Sequence, residues 1–281
     1  MNKMNKLLLA LAPILCIGTF NTANALVTIP QTALIQSTDS NTVPGTHMYT
    51  SDYGAVAVMT GGGNAANVGV ASGRNDDGFQ GPISLGFTLN FFEVDYTQFW
   101  ANNNGNISFT GGISSYIPTG PIGATIPVIS PFFGDVDTRN TSSGVMHVNT
   151  LADETIVTWD QVGYYNAIAP PTNTFQLVVR GPDYNIPVGE GTIGFFYGDM
   201  DWEVTQTSIT AAVGFGDGAG TNDVALEGSN ASGLNTVLDN HHLWFNVNLE
   251  PVPPVPTPEP ASLALLGIGL AGLGFMRRRR T

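Results

Sequence analysis

Cysteine is almost missing from this 281-residue chain: one occurs, Cys16, close to the start. A lone thiol makes no intrachain disulfide, and thiol chemistry and Cys-ligated zinc are excluded from the body. Lysine is as scarce, with Lys3 and Lys6 and no others. Histidine occurs four times, as His47, His147, His241 and His242. No G-x-S-x-G or H-E-x-x-H run is present, so neither a serine-hydrolase elbow nor a zinc-protease helix is encoded. His241 and His242 are neighbours, and neighbours on a strand point to opposite faces, which disfavours a shared metal. Of the common catalytic sets, paired carboxylates remain, because glycoside hydrolysis needs only Asp and Glu.

Positive charge is also lacking where the chain is longest. Setting aside Glu259, 21 acids fall in residues 26–257, against three bases, Arg74, Arg139 and Arg180, for a net charge of −18. Such a surface repels nucleic acid and anionic membrane. It keeps an exported protein soluble and admits polycationic or metal-bridged partners.

The basic residues collect at the two ends. Residues 1–25, MNKMNKLLLALAPILCIGTFNTANA, carry Lys3 and Lys6, then an apolar run, then Ala23-Asn24-Ala25. This order predicts a secretory signal peptide cut after Ala25, with the mature chain starting at Leu26. The other end reads PEPASLALLGIGLAGLGFMRRRRT. Its residues 261–276 are 16 uncharged residues, about 24 Å as a helix, slightly short of a ~30 Å hydrocarbon core. Arg277, Arg278, Arg279 and Arg280 follow at once. They can snorkel across the shortfall and hold that end in the cytoplasm. A proline-rich stretch, 251–260, precedes the span as a semi-rigid stalk.

The ending Pro258-Glu259-Pro260, an apolar helix and an arginine cluster resembles the PEP-CTERM sorting signal of Gram-negative bacteria. The resemblance implies an exosortase-type processing enzyme as partner, transient residence in the inner membrane, and delivery to the surface or extracellular matrix of an exopolysaccharide-producing cell. The alternative is a permanent single-span anchor. Both put the body outside the cytoplasm.

Within the body, alternation of period two dominates. NTFQLVVRG sets Phe175, Leu177 and Val179 on one face and Thr174, Gln176 and Arg180 on the other. GTIGFFYGD aligns Ile193, Phe195 and Tyr197, and HHLWFNVNLE aligns Leu243, Phe245, Val247 and Leu249. Such patterning with β-branched and aromatic residues predicts half-buried strands. Asn104-Gly105 predicts a two-residue type I′ hairpin. Residues 60–78, TGGGNAANVGVASGRNDDG, show little periodicity and read as a loop or weak edge. The expected fold is all-β, an antiparallel sandwich or barrel-like sheet, flanked by an N-terminal signal helix and a single C-terminal transmembrane helix. The expected divisions are 1–25, 26–82, 83–250, 251–260 and 261–281.

SPFFGDVDTRN, IVTWDQVGYYN and GFFYGDMDWE, with FWANNNGNISF before and AAVGFGDGAG after, are similar in order and spacing to the nidogen-like extracellular (NIDO) domain. The similarity covers residues 83–229 and departs in the Gly/Pro-rich segment 113–127. It implies a β-rich extracellular module for cell–matrix adhesion and no catalytic residues.

The acidic blocks offer one further reading. Asp135 and Asp137 lie two apart, and Asp199 and Asp201 repeat that spacing. Hard oxygen donors outside the cell suit Ca²⁺, so these four are candidate ligands, although no run matches an EF-hand loop. The alternative is that they cap turns between strands, with Arg139 paired to one of them. Trp159 and Trp202 stand in the same blocks and are either sugar-stacking or core residues. The expected function is adhesion or binding in the exopolysaccharide or biofilm layer, through an exopolysaccharide or a matrix protein. A glycan-acting hydrolase and a structural matrix component without a ligand are the alternatives.

Overall fold

The computed structural model describes residues 25–63, 65–118, 125–203, 210–246 and 248–253. The signal peptide up to residue 24, the stalk from residue 254 onward, the sorting motif and the apolar span with its arginines lie outside the described residues. No helix among the described residues is long and apolar enough to cross a membrane.

The strands form two separate sheets. The first runs in the order β1 (Ala25–Ile29), β14 (Asn222–Leu226), β13 (Ala212–Gly216), β8 (Val128–Phe133), β7 (Asn106–Ser108), β6 (Val94–Asn102), β5 (Gly78–Phe91) and β4 (Gly61–Gly62). The second runs β2 (Ile35–Gln36), β15 (His241–Phe245), β12 (Ile193–Met200), β11 (Ile168–Arg180), β10 (Glu154–Tyr164), β9 (Met146–Thr150) and β3 (Ala55–Val56). Among the described residues no ladder joins one sheet to the other, so the barrel-like alternative falls and a sandwich stands. Neighbouring strands are antiparallel except β1 and β14, which run parallel.

The inner faces are built by the residues that alternation singles out. Phe175, Leu177, Val179, Ile193, Phe195, Tyr197, Leu243 and Phe245 all enter the main core. Aromatic rings stitch the sheets across it: Phe215 of β13 lies 5.4 Å from Phe195 of β12 and 4.7 Å from Phe245 of β15. Offset and edge-on ring pairs of this kind add to the stabilisation from buried area.

The outer face of the second sheet differs from expectation. Ile156, Val178, Phe196 and Trp244 point away from the main core, yet they are buried under Met48 and Tyr49 as a second apolar cluster. The central strands are therefore buried on both faces rather than half-buried, which is why VV in β11 and FFY in β12 are unbroken apolar runs. Arg180 crosses this layer fully buried. Its Nε donates to Glu154 at 3.1 Å, and its Nη2 to Glu190 at 2.5 Å and to the Tyr49 hydroxyl at 3.0 Å. Its guanidinium also sits 4.2 Å from the Trp244 ring centroid.

One local expectation is corrected and one is narrowed. The β6–β7 hairpin closes between Asn102 and Asn106, leaving three loop residues rather than two. Only Gly105, at φ 77°, takes positive φ there, so Asn104 is free to use its side chain elsewhere. Of the two readings of 60–78, the weak edge is the one found at its start. The stretch contributes β4 there, and at its end Asn75 and Asp76 are buried.

Candidate functional site

Residues 75–78, just before and into β5, meet residues 135–139, which follow β8. Asp76 and Asp137 form a β-bridge, the Asn75 N–H donates to the Thr138 hydroxyl at 2.9 Å, and the Thr138 N–H donates to the Asn75 carbonyl at 3.0 Å. This pairing carries four aspartates to one place. One carboxylate oxygen from each of Asp76, Asp77 and Asp135 lies within 4.8 Å of the others. Asp76 is 8 % exposed, Asp135 1 % and Asp137 0 %, and Asp77 is half-buried.

The run ANNNGN places amides around them. The Asn104 Nδ2 donates to Asp77 at 2.7 Å, while its Oδ1 accepts the Val136 N–H at 3.0 Å. The Asn103 Nδ2 donates to the Val136 carbonyl, and its own N–H donates to Gly78 at 2.8 Å. Asn102 holds Asn106, Ser108 and the Ile113 N–H. Trp159 Nε1 donates to the Asn103 carbonyl at 3.0 Å from beneath.

Arg139 provides the counter-charge. Its Nη2 lies 2.8 Å from Asp76 and 2.5 Å from Asp137, and its Nε donates to Asp137 at 2.9 Å. The N–H groups of Arg139 and Ala167 complete Asp137 at 3.0 and 2.7 Å. Both oxygens of Asp137 are thus occupied by donors, which fits the ion-pair alternative for that residue better than metal ligation. Asp76 fares differently. Burial, then the neighbouring charges of Asp137 and Asp77, push its carboxyl up to about 7 against the pull of Arg139. Burial likewise raises Asp77, with the Asn104 hydrogen bond opposing. Two buried oxygens here, Asp76 Oδ1 and Asn103 Oδ1, have no hydrogen-bond partner.

The four aspartates singled out in the sequence do not assemble. Asp135 and Asp137 reach this place, but Asp199 lines a separate pocket of about 230 Å³ with His47, Tyr53, Asp160 and Thr174. Asp201 is exposed just past β12. Asp76 and Asp77 join Asp135 instead. Nothing in spacing alone joins residues 76 and 135, and the available signal was an acid pair closing a glycine-rich stretch whose one other charge is Arg74. The tryptophans are settled too: Trp159 is 0 % and Trp202 3 % exposed, so neither presents a face to a sugar. His241 and His242 do point apart. His242 is buried and stacked on Phe196, while the His241 Nδ1 lies 2.7 Å from the Asp239 carbonyl.

A family model described as NIDO related matches residues 48–246. The chain belongs to the NIDO-related family. The match begins well before residue 83, in keeping with β3 and β4 pairing into the sheets. A second model, the PEP-CTERM protein-sorting motif, matches residues 256–280. Alpha-tectorin of Mus musculus is 28 % identical over 192 residues, covering 55 % of this chain and 8 % of that protein. Alpha-tectorins of Homo sapiens and Gallus gallus are each 27 % identical over 192 residues, covering 55 % of this chain and 8 % and 9 % of those proteins. The chain therefore spans less than a tenth of the length of these relatives. No solved structure matches it. A NIDO-related domain followed by a PEP-CTERM motif marks an exported protein sorted to the surface of a Gram-negative bacterium.

Proposed function

We propose that this protein is an adhesive component of the extracellular polysaccharide layer. An exosortase-type enzyme processes it near Pro258-Glu259-Pro260, and the NIDO-related sandwich then binds exopolysaccharide or a matrix protein. The observation that carries the reading is the union, in one chain, of a NIDO-related domain at 48–246 and a sorting motif at 256–280. The strongly acidic body fits a soluble exported module and argues against nucleic acid as partner. The test compares a strain lacking the protein with strains carrying the full chain or a variant with Pro258, Glu259 and Pro260 changed to Ala. The full chain restores attachment and matrix polysaccharide, and the variant stays with the membrane fraction. The reading fails if the deletion leaves both unchanged and the protein retains no polysaccharide in a pull-down.

A second reading, glycan hydrolysis, has one observation in its favour. Asp160 and Asp199 line the same polar pocket, and burial raises the Asp160 carboxyl as a general acid requires. On this reading the protein releases reducing ends from the cell's own exopolysaccharide, and Asp160→Asn abolishes the release. A flat reducing-sugar assay with the unaltered protein removes it.

A further inference from the structure

We infer that Asp76, Asp77 and Asp135, with the side-chain oxygen of Asn103, bind one Ca²⁺ ion that clamps the 60–78 stretch onto the segment after β8. Oxygens bound to one Ca²⁺ at 2.3–2.6 Å can lie no more than about 5 Å apart. The three carboxylate oxygens meet that condition, each within 4.8 Å of the others.

A cluster of acids alone would not suffice, and two buried orphans supply the independent sign. Asn103 is 1 % exposed and its Oδ1 has no partner. It stands where the carboxylate-bearing segments meet, with its N–H on Gly78, next to Asp77, and its Nδ2 on Val136, between Asp135 and Asp137. Asp76 Oδ1, also buried, is the second oxygen left without a hydrogen. Buried oxygens normally find a donor or a metal, because an unmet acceptor keeps its full desolvation penalty. A cation bound between these segments would satisfy both oxygens, Asp76 Oδ1 and Asn103 Oδ1.

Charge points the same way. Asp76 and Asp137 share one guanidinium, that of Arg139. Arg74 lies close by, but its Nη1 donates to the carbonyls of Thr138 and Asn140 at 2.8 and 2.6 Å. Buried charges persist when paired or bound to a metal. The donors are hard oxygens with no sulfur or imidazole, which selects Ca²⁺, Mg²⁺ or Mn²⁺ over zinc or copper. Mg²⁺ keeps several waters in a strict octahedron, whereas Ca²⁺ accepts irregular sets of carboxylate and amide oxygens, as here. Asp77, half-buried, is the side from which the ion arrives.

The test uses the full-length chain in mild detergent, stripped with EDTA and dialysed. Calorimetric titration with CaCl₂ yields one ion per chain, with a Kd near the 10⁻⁴–10⁻³ M of extracellular modules or tighter. A hundredfold excess over Kd raises Tm by roughly 5–10 °C. Asp77→Asn, at a half-exposed position, weakens binding at least about tenfold, while Asp199→Asn leaves it unchanged. Trypsin gives a check on the unaltered chain, since Arg74 is the one basic residue in 60–78. Ca²⁺ slows cleavage after Arg74 at least about tenfold, with a small peptide substrate correcting for the protease's own response. Absence of binding heat and of a Tm shift at 10 mM CaCl₂ overturns the site, as does equal affinity in Asp77→Asn. Either failure leaves the adhesion reading standing, because that reading does not depend on a metal.

Discussion

His242 shows what one buried titratable ring contributes. It is 4 % exposed, lies 5.2 Å from Phe196 in a near-parallel stack, and contacts the Ser37 hydroxyl at 3.1 Å. Burial, then the charge of His241, lowers its pKa from 6.5 to about 4. The folded state therefore keeps the ring neutral where the unfolded chain takes up a proton. Stability is intact above pH 6.5, falls between 6.5 and 4, and then levels off for this group. The full loss is about 3 kcal/mol. Burial of Asp76, whose carboxyl is raised to about 7, tilts stability the other way over the same range. The His242 contribution is therefore read as the difference in urea midpoint between the unaltered chain and His242→Phe, which moves against the unaltered chain from pH 7.5 to 4. An unchanged slope in the variant would show that other groups carry the acid sensitivity. Arg180 is the larger case. Removing it by Arg180→Met strands Glu154, 6 % exposed, without its buried counter-ion. The expected loss is about 3–5 kcal/mol, read as a lower urea midpoint at unchanged m-value.

At the scale of elements, the β6–β7 hairpin carries the most consequence. Gly105 sits at φ 77°, and a Cβ there would run into the Phe132 carbonyl of β8. Gly105→Ala thus meets both a positive-φ penalty and a backbone collision, and it costs more than about 2 kcal/mol in thermal unfolding. A loss below 0.5 kcal/mol would mean that the hairpin relaxes freely. The same hairpin marks how far the sequence could be read. Alternation located β11, β12 and β15 and their inward residues, because a period of two is a local property of the chain. The Asn-Gly pair located the turn but not its length, since Asn104 is drawn away by Val136 and Asp77, which lie far off in sequence. Burial of the outer sheet face was hidden too. It depends on Met48 and Tyr49, which belong to a segment without periodicity of its own. The site divides the same way. Asp135 was visible inside an acidic block, but Asp76 and Asp77 join it only through the pairing of 75–78 with 135–139, which no spacing rule announces.

The whole molecule separates its charges by destination. The NIDO-related body keeps three arginines. Two of them are spent on buried or half-buried carboxylates, and the third on main-chain carbonyls. Its remaining acids give a surface that stays dispersed among anionic polymers at low ionic strength and that divalent cations can bridge. Attachment mediated by the purified protein accordingly strengthens when millimolar Ca²⁺ replaces an equal ionic strength of Na⁺, and a loss of attachment would count against bridging. The dense positive charge lies apart, at residues 277–280. The most direct measurement is the intact mass of the protein from its own cells, taken separately for membrane and released fractions. The account predicts a released form that starts near Leu26 and ends near Pro260, without Arg277, Arg278, Arg279 and Arg280. A membrane-bound form alone, still carrying all four arginines, would contradict processing and leave a tethered surface protein.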